Sequence, residues 1–301
     1  MSVFLSITFS GVALGAIYFL AASGLSLIYG LMDILNFAHG LFMTLGAYAG
    51  WAVAVHLPSS IGAPGLFALS VVAAVLGGAL AAGITEVLFI RPLYGRPVSQ
   101  ILVTIGLDLA VVGLLLGGFG SNSVRIPVPL WLIEATKVGS ANLPNVDFLA
   151  IALGLAVLFS LEWFLRRTRY GIIIRAGVEN RDMVSALGID VGKAFTLVFV
   201  IGGAMAGLAG LLYAVVFSGD LVSPLQGDSL LIFAFIVVVI GGLGSIRGSA
   251  LAALIVGFVQ DYTNLYLGGH SGFAEVGNLS VVLLLALVLE WRPRGLMGSV
   301  A

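Results

Sequence analysis

Cysteine is missing from all 301 residues, so disulfides, thiol chemistry and cysteine metal sites are excluded. Charge is almost as scarce: 13 basic and 14 acidic side chains, for a net charge of −1. So balanced a charge argues against a nucleic-acid role. No GxxxxGK[ST] loop occurs, so the chain does not bind ATP by that route, and HExxH is absent. With three histidines and no carboxylate pair at ligand spacing, His39 is a poor metal ligand, and no Ser-His-Asp grouping forms. No polar stretch exceeds about 30 residues, too little for a soluble domain. The amino terminus has no Lys or Arg before its first apolar run, unlike a cleaved signal peptide, and is expected to remain as a first helix.

What is abundant is apolar surface. The hydrophobic share is 60% and the mean hydropathy +1.17. Apolar runs occupy about 3–29, 41–57, 65–90, 99–119, 147–165, 194–217, 229–243, 249–267 and 278–291. A bilayer crossing takes about 20 such residues. The runs are continuous rather than alternating, which selects helices over a barrel. The expected fold is all-α, a polytopic transmembrane bundle of eight or nine segments forming one domain over 1–301. The connection at about 120–146, with Pro127, Pro129 and Pro144, is expected to be irregular.

With nine crossings, the loops at 91–98, 166–193 and 246–248 and the carboxyl terminus share one side. They hold 11 of the 13 basic residues; only Arg125 and Lys137 fall opposite. That bias makes the basic side cytoplasmic. GxxxG pairs at Gly11/Gly15, Gly46/Gly50, Gly113/Gly117, Gly203/Gly207 and Gly244/Gly248 supply close-packing seams.

Polar residues within the apolar runs are functional candidates. Asp33, Asn36 and His39 stand between Gly30 and Gly40, as in a broken helix or a tight turn. A second glycine-rich interruption covers 240–248, and Asp108 and Asp261 complete the set. Glu162 sits four residues before Arg166 and reads as an ion pair; Glu86, one turn before Arg91, is expected to snorkel or pair. The loop 166–193 concentrates nine of the charges, six of them basic, including Arg175. Inside it Asn180 suits an N-cap, Gly188 suits a C′ position, and Met183, Ala186 and Leu187 share one face. A short amphipathic helix there is a docking element.

These motifs resemble the inner-membrane permeases of high-affinity branched-chain amino acid ABC importers, a family that also includes urea and amide permeases. The resemblance rests on GLSLIYG at 24–30, LNFAHG at 35–40, LGAY at 45–48, RPL at 91–93 and TIGL at 104–107. It continues with ENRDM at 179–183, ALGI at 186–189, GGLGSIRG at 241–248 and RPRG at 292–295. It implies a bacterial inner-membrane subunit with a cytoplasmic carboxyl terminus and no cofactor or enzymatic activity of its own. Its implied partners are a second homologous permease, two cytoplasmic ATPases that bind ATP and Mg, and an external, periplasmic solute-binding protein. Glu179 to Gly188, with Asp182 and Arg175, would form the coupling helix in an ATPase groove. Thr104 would join the substrate pathway, where Asp108 departs from the small or hydroxyl residue the family pattern leads one to expect. A channel or secondary transporter for a small neutral solute is the alternative, with Asp33, His39, Asp108 and Asp261 as proton sites.

Overall fold

A computed structural model describes residues 2–32, 36–179, 183–184, 191–268 and 276–298. In lipid each backbone amide needs an internal partner, and the apolar runs satisfy theirs as helices. In chain order these are α1 (Ser2–Met32), α2 (His39–His56), α3 (Ala63–Thr85), α4 (Pro97–Phe119), the single turn α5 (Leu130–Ile133), α6 (Asn145–Arg167) and α7 (Arg169–Glu179). They continue with α8 (Val191–Val216), α9 (Gln226–Gly241), α10 (Ile246–Thr263) and α11 (Val276–Trp291). Among the described residues six helical stretches are long and apolar enough to cross a membrane: Val3–Gly30, Ala63–Leu93, Pro97–Phe119, Asn145–Arg167, Gly192–Val216 and Ile246–Gly268. The other three apolar helices, α2, α9 and α11, have 18, 16 and 16 residues. At 1.5 Å per residue they reach about 24–27 Å, short of a full hydrocarbon core.

The bundle is built around α8, whose apolar window is 72% buried. Helices α2 and α3 pack on one side of it and α1 on the other. Backbones can approach this closely only where side chains are missing. A Cβ on Gly46 of α2 would lie 2.8 Å from the Ala74 carbonyl oxygen of α3 and fall onto Gly207 of α8. On the far side, a Cβ on Gly15 of α1 would stand 2.9 Å from the Ala253 oxygen of α10. Helix α9 fills the space between α1, α2 and α10, while α4, α6 and α11 form the periphery. The pair Gly113/Gly117 on α4 meets nothing within 4 Å, so this seam is unused within the chain.

The basic loops gather at one end of the bundle. Arg91, after α3, reaches Thr196 at the start of α8, and Arg247, at the start of α10, reaches Glu162 near the end of α6. The carboxyl-terminal segment closes the same end: Leu296 donates its amide to the Ile240 carbonyl at 2.7 Å, and Met297 to Gly241 at 3.0 Å. Those two carbonyls belong to the last turn of α9, where helices leave acceptors open. Exposed Trp163 and Trp291 lie toward this end and Trp131 and Tyr266 toward the other, the placement of interfacial aromatics.

At the opposite end the structure corrects the expectation of an irregular connection. Strands β2 (Ala135–Val138) and β3 (Ala141–Pro144) form an antiparallel hairpin, turned by Gly139 at φ 63° and Ser140. The Gly-Ser pair permits a two-residue turn, and the prolines lie outside the turn itself. The dipeptide strands β1 (Val124–Arg125) and β4 (Leu221–Val222) also pair. Beside them Arg125 and Asp220 approach to 3.7 Å. Burial pushes the Asp220 carboxyl above its ordinary range, against the pull of Arg125.

Candidate functional site

Of the two interruptions weighed in the sequence, one is a re-entry and the other a turn. Helix α1 ends at Met32, and its Gly30 touches Gly244 at the basic end. Helix α2 begins only at His39, fully buried, with Nε2 donating to the Ala21 carbonyl of α1 at 3.0 Å. Ala21 lies nine residues above Gly30, about 14 Å along the helix. Helix α2 therefore begins inside the bundle, at the level of Ala21, and not at the basic end. Gly24 makes the space: a Cβ there would stand 2.9 Å from the His39 ring and 2.5 Å from the Gly202 oxygen of α8. Asn36, also buried, accepts the Ala38 amide on its side chain at 3.1 Å, while its carbonyl accepts the His39 amide. Asn36 Nδ2 and His39 Nδ1 have no partner among the described residues. Asp33 lies outside the described residues.

The stretch at 240–248, by contrast, is a helix-turn-helix. Gly242 at φ 101° and Gly244 at φ 78° turn the chain, and Ser245 caps α10 by accepting the Gly248 amide at 3.1 Å.

The matching discontinuity lies earlier. Helix α8 ends at Val216, yet α9 does not start until Gln226, whose Nε2 donates back to the Gly210 carbonyl inside the bundle at 3.2 Å. The starts of α2 and α9 then meet. The Gly227 amide donates to Thr44 Oγ1 at 3.1 Å, and a Cβ on Gly40 would lie 3.1 Å from the Gly227 oxygen. Two helices thus begin side by side within the bundle rather than at its ends.

Asp108 joins this junction. On α4 it lies one turn past buried Thr104, which spends its hydroxyl on the Ile101 carbonyl. The Asp108 carboxylate faces the Leu41 backbone of α2 and the carboxylate of Asp228, in the first turn of α9. Its Oδ1 is buried without a hydrogen-bond partner among the described residues. Asp261 is not part of this group. It stands on α10 near Asp147 of α6, which accepts from Ser10 of α1 at 3.0 Å. Sequence reasoning had no signal for Thr44, Gln226, Gly227 or Asp228. They become neighbours of Gly40 and Asp108 only through tertiary packing.

At the basic end a second polar cluster surrounds Glu86, where the last turn of α3, Glu86–Ile90, widens to π geometry. Its fully buried carboxylate accepts from Arg91 Nε at 3.4 Å, from Thr196 Oγ1 at 2.7 Å and from the Tyr94 hydroxyl. Burial and the adjacent carboxylate push the Tyr94 hydroxyl up. Glu162 pairs with Arg166 at 2.9 Å, as its spacing indicates, and also accepts Arg247 Nε at 2.9 Å. In the loop, α7 carries exposed Arg175 and ends at Glu179; Met183 is exposed and Val184 buried. Asn180, Asp182, Ala186, Leu187 and Gly188 lie outside the described residues.

A family described as "Branched-chain amino acid transport system / permease component" matches residues 7–289. The chain belongs to this permease family. It is similar to the high-affinity branched-chain amino acid transport system permease protein LivH of Salmonella typhimurium, 28% identical over 98% of this chain and 96% of that one. It is also similar to the probable branched-chain amino acid transport permease protein LivH of Methanocaldococcus jannaschii, at 30% over 93% and 88%. A probable permease protein LivM of that organism shares 28% over 44% and 41%. The permease is thus an integral membrane transport component.

Proposed function

We propose that this permease is the membrane subunit of an ATP-binding-cassette importer that moves branched-chain or related neutral amino acids into the cytoplasm. The observation that carries the reading is the family match over 7–289, which includes the loop 166–193. On this reading two cytoplasmic ATPases hold ATP and Mg, an external binding protein delivers the solute, and a second permease completes the pathway. The similarity to both LivH and LivM of one organism supports a related second chain rather than only a copy. The open Gly113/Gly117 face of α4, turned away from Asp108 on the same helix, fits a contact with that chain.

The pathway would follow the junction of α2, α4 and α9, with Asn36, His39, Asp108 and Asp228 as its polar groups. Facing carboxylates suit the ammonium end of a zwitterion, and helix beginnings suit its carboxylate end. The segment from Glu179 to Gly188 would dock in the ATPase as a helix in a groove. Its movement would pass directly into α8, and through Thr196 and Glu86 into α3.

Energetics test this. In cells, uptake should collapse when ATP is depleted at constant membrane potential and persist under an uncoupler with ATP maintained. Uptake with the reverse dependence would overturn the reading in favour of a self-sufficient secondary transporter.

A further inference from the structure

An open crevice runs between α1, α6 and α10, with about 360 Å³ of free space counting the part open to the outside. Its lining is aliphatic, aromatic and glycine throughout, with Val12, Ala16, Ile151, Leu155, Leu158 and Leu254 among its walls. Gly154 on α6 meets Ala16 on α1 at its floor, so the helices touch there and diverge toward the periphery. Helix α6 is only 17% buried along its apolar window, which leaves the crevice open to the membrane.

Below the crevice the same two helices place a cationic cluster. One turn past Leu158 on α6 is Glu162, followed by Arg166; one turn before Ala250 on α10 is Arg247. Both guanidiniums converge on the single Oε1 of Glu162. Two cations on one anion leave a net positive charge, and the Arg side chains remain 53% and 58% exposed. Their free N–H groups are suited to phosphate oxygens, which guanidinium binds in bidentate fashion. Half-exposed Trp163 beside them marks the headgroup level.

We propose that this crevice and the Arg166–Glu162–Arg247 cluster together bind one anionic phospholipid, its acyl chain between α1, α6 and α10 and its phosphate on the two arginines. Charge complementarity and the continuity of the apolar and cationic parts select a lipid over a free phosphate, which would leave the crevice unused. Basic pockets between helices at the cytoplasmic leaflet are a recurrent setting for anionic headgroups. The site does not depend on what the permease transports.

Native mass spectrometry of the full chain, with any partners it retains, should be run in equimolar phosphatidylglycerol and phosphatidylcholine. The wild type should keep phosphatidylglycerol about tenfold over phosphatidylcholine. Arg166→Gln with Arg247→Gln should abolish that preference, and Leu155→Trp should lower retention of both lipids by crowding the crevice. Glu162→Gln should raise phosphatidylglycerol retention several-fold, because it removes the anion closest to the phosphate. A purely structural ion cluster would give the opposite or no change. Equal retention by the wild type, a preference that survives the double arginine change, or indifference to Leu155→Trp would each overturn the assignment.

Discussion

Thr196 Oγ1 donates to Glu86 Oε2 at 2.7 Å, joining the second turn of α8 to the π turn that continues α3 across 110 residues of sequence. The same hydroxyl receives Arg91 Nη2 at 2.6 Å, so three side chains close one ring around a carboxylate with no solvent exposure. The ring stands at the start of α8, just after the loop 166–193, where on the proposed reading a pull on the loop would enter the core.

Removing one side of this ring separates stability from transmission. A hydrogen bond to a charged group contributes about 1.5–3 kcal/mol. Glu86→Ala should therefore cost about 3 kcal/mol, after discounting half-exposed Arg91. Thr196→Val removes the bridge between the helices and keeps the Glu86–Arg91 pair, so it should cost only about 1–2 kcal/mol. With Thr196→Val, solute moved per ATP hydrolysed should fall at least threefold while chain abundance stays near normal. An unchanged ratio would show that the ring holds the fold and transmits nothing.

The Asp108–Asp228 approach predicts a substrate effect. Asp108→Asn and Asp228→Asn should each raise the KM for amino acid uptake at least tenfold, with membrane levels of the chain unchanged. Asp261→Asn, away from the junction, should leave KM within about twofold. Uptake kinetics that respond to Asp261 and ignore Asp108 would move the pathway to the α6–α10 side of α1.

The glycine seams can be compared within one molecule. Gly207→Val places two methyl groups against the Ala74 and Gly78 backbones and should destabilise the bundle by about 3 kcal/mol or more, an overpacking cost. Gly113→Val, with nothing within 4 Å, should leave the melting temperature of the isolated chain unchanged. Thermal unfolding in detergent measures both, and equal losses would contradict the packing described.

Truncation after Gly295 removes the Leu296 and Met297 amides that cap α9. Each orphaned acceptor costs about 1–3 kcal/mol when water cannot replace the donor. The truncated chain should melt several degrees lower, and hydrogen exchange should increase first in α9. Protection unchanged in α9 would show that the carboxyl-terminal segment is dispensable.

Apolar runs located the helices because lipid demands continuous hydrophobicity, and the Glu162–Arg166 and Glu86–Arg91 pairs followed from spacing along one helix. Arg247 on Glu162 did not, since 85 residues separate them. The depth at which α9 starts was not legible for a related reason. A run such as 229–243 looks alike whether its helix begins at the surface or inside the bundle, and only the Gly227–Thr44 and Gln226–Gly210 bonds distinguish the two. The Gly139–Ser140 hairpin was readable as a turn, but the flanking prolines drew attention to irregularity instead. The β1–β4 pair, two residues per strand, carries too little pattern to be seen in sequence.

The most direct measurement is gentle affinity purification of the chain from its native membrane, with co-purifying proteins identified by mass. The importer reading predicts a P-loop ATPase and a second, similar permease at stoichiometric yield. It also predicts loss of the ATPase alone from a variant carrying Glu179→Lys and Leu187→Asp. A chain that purifies without either partner, and moves solute by itself in liposomes, would contradict it.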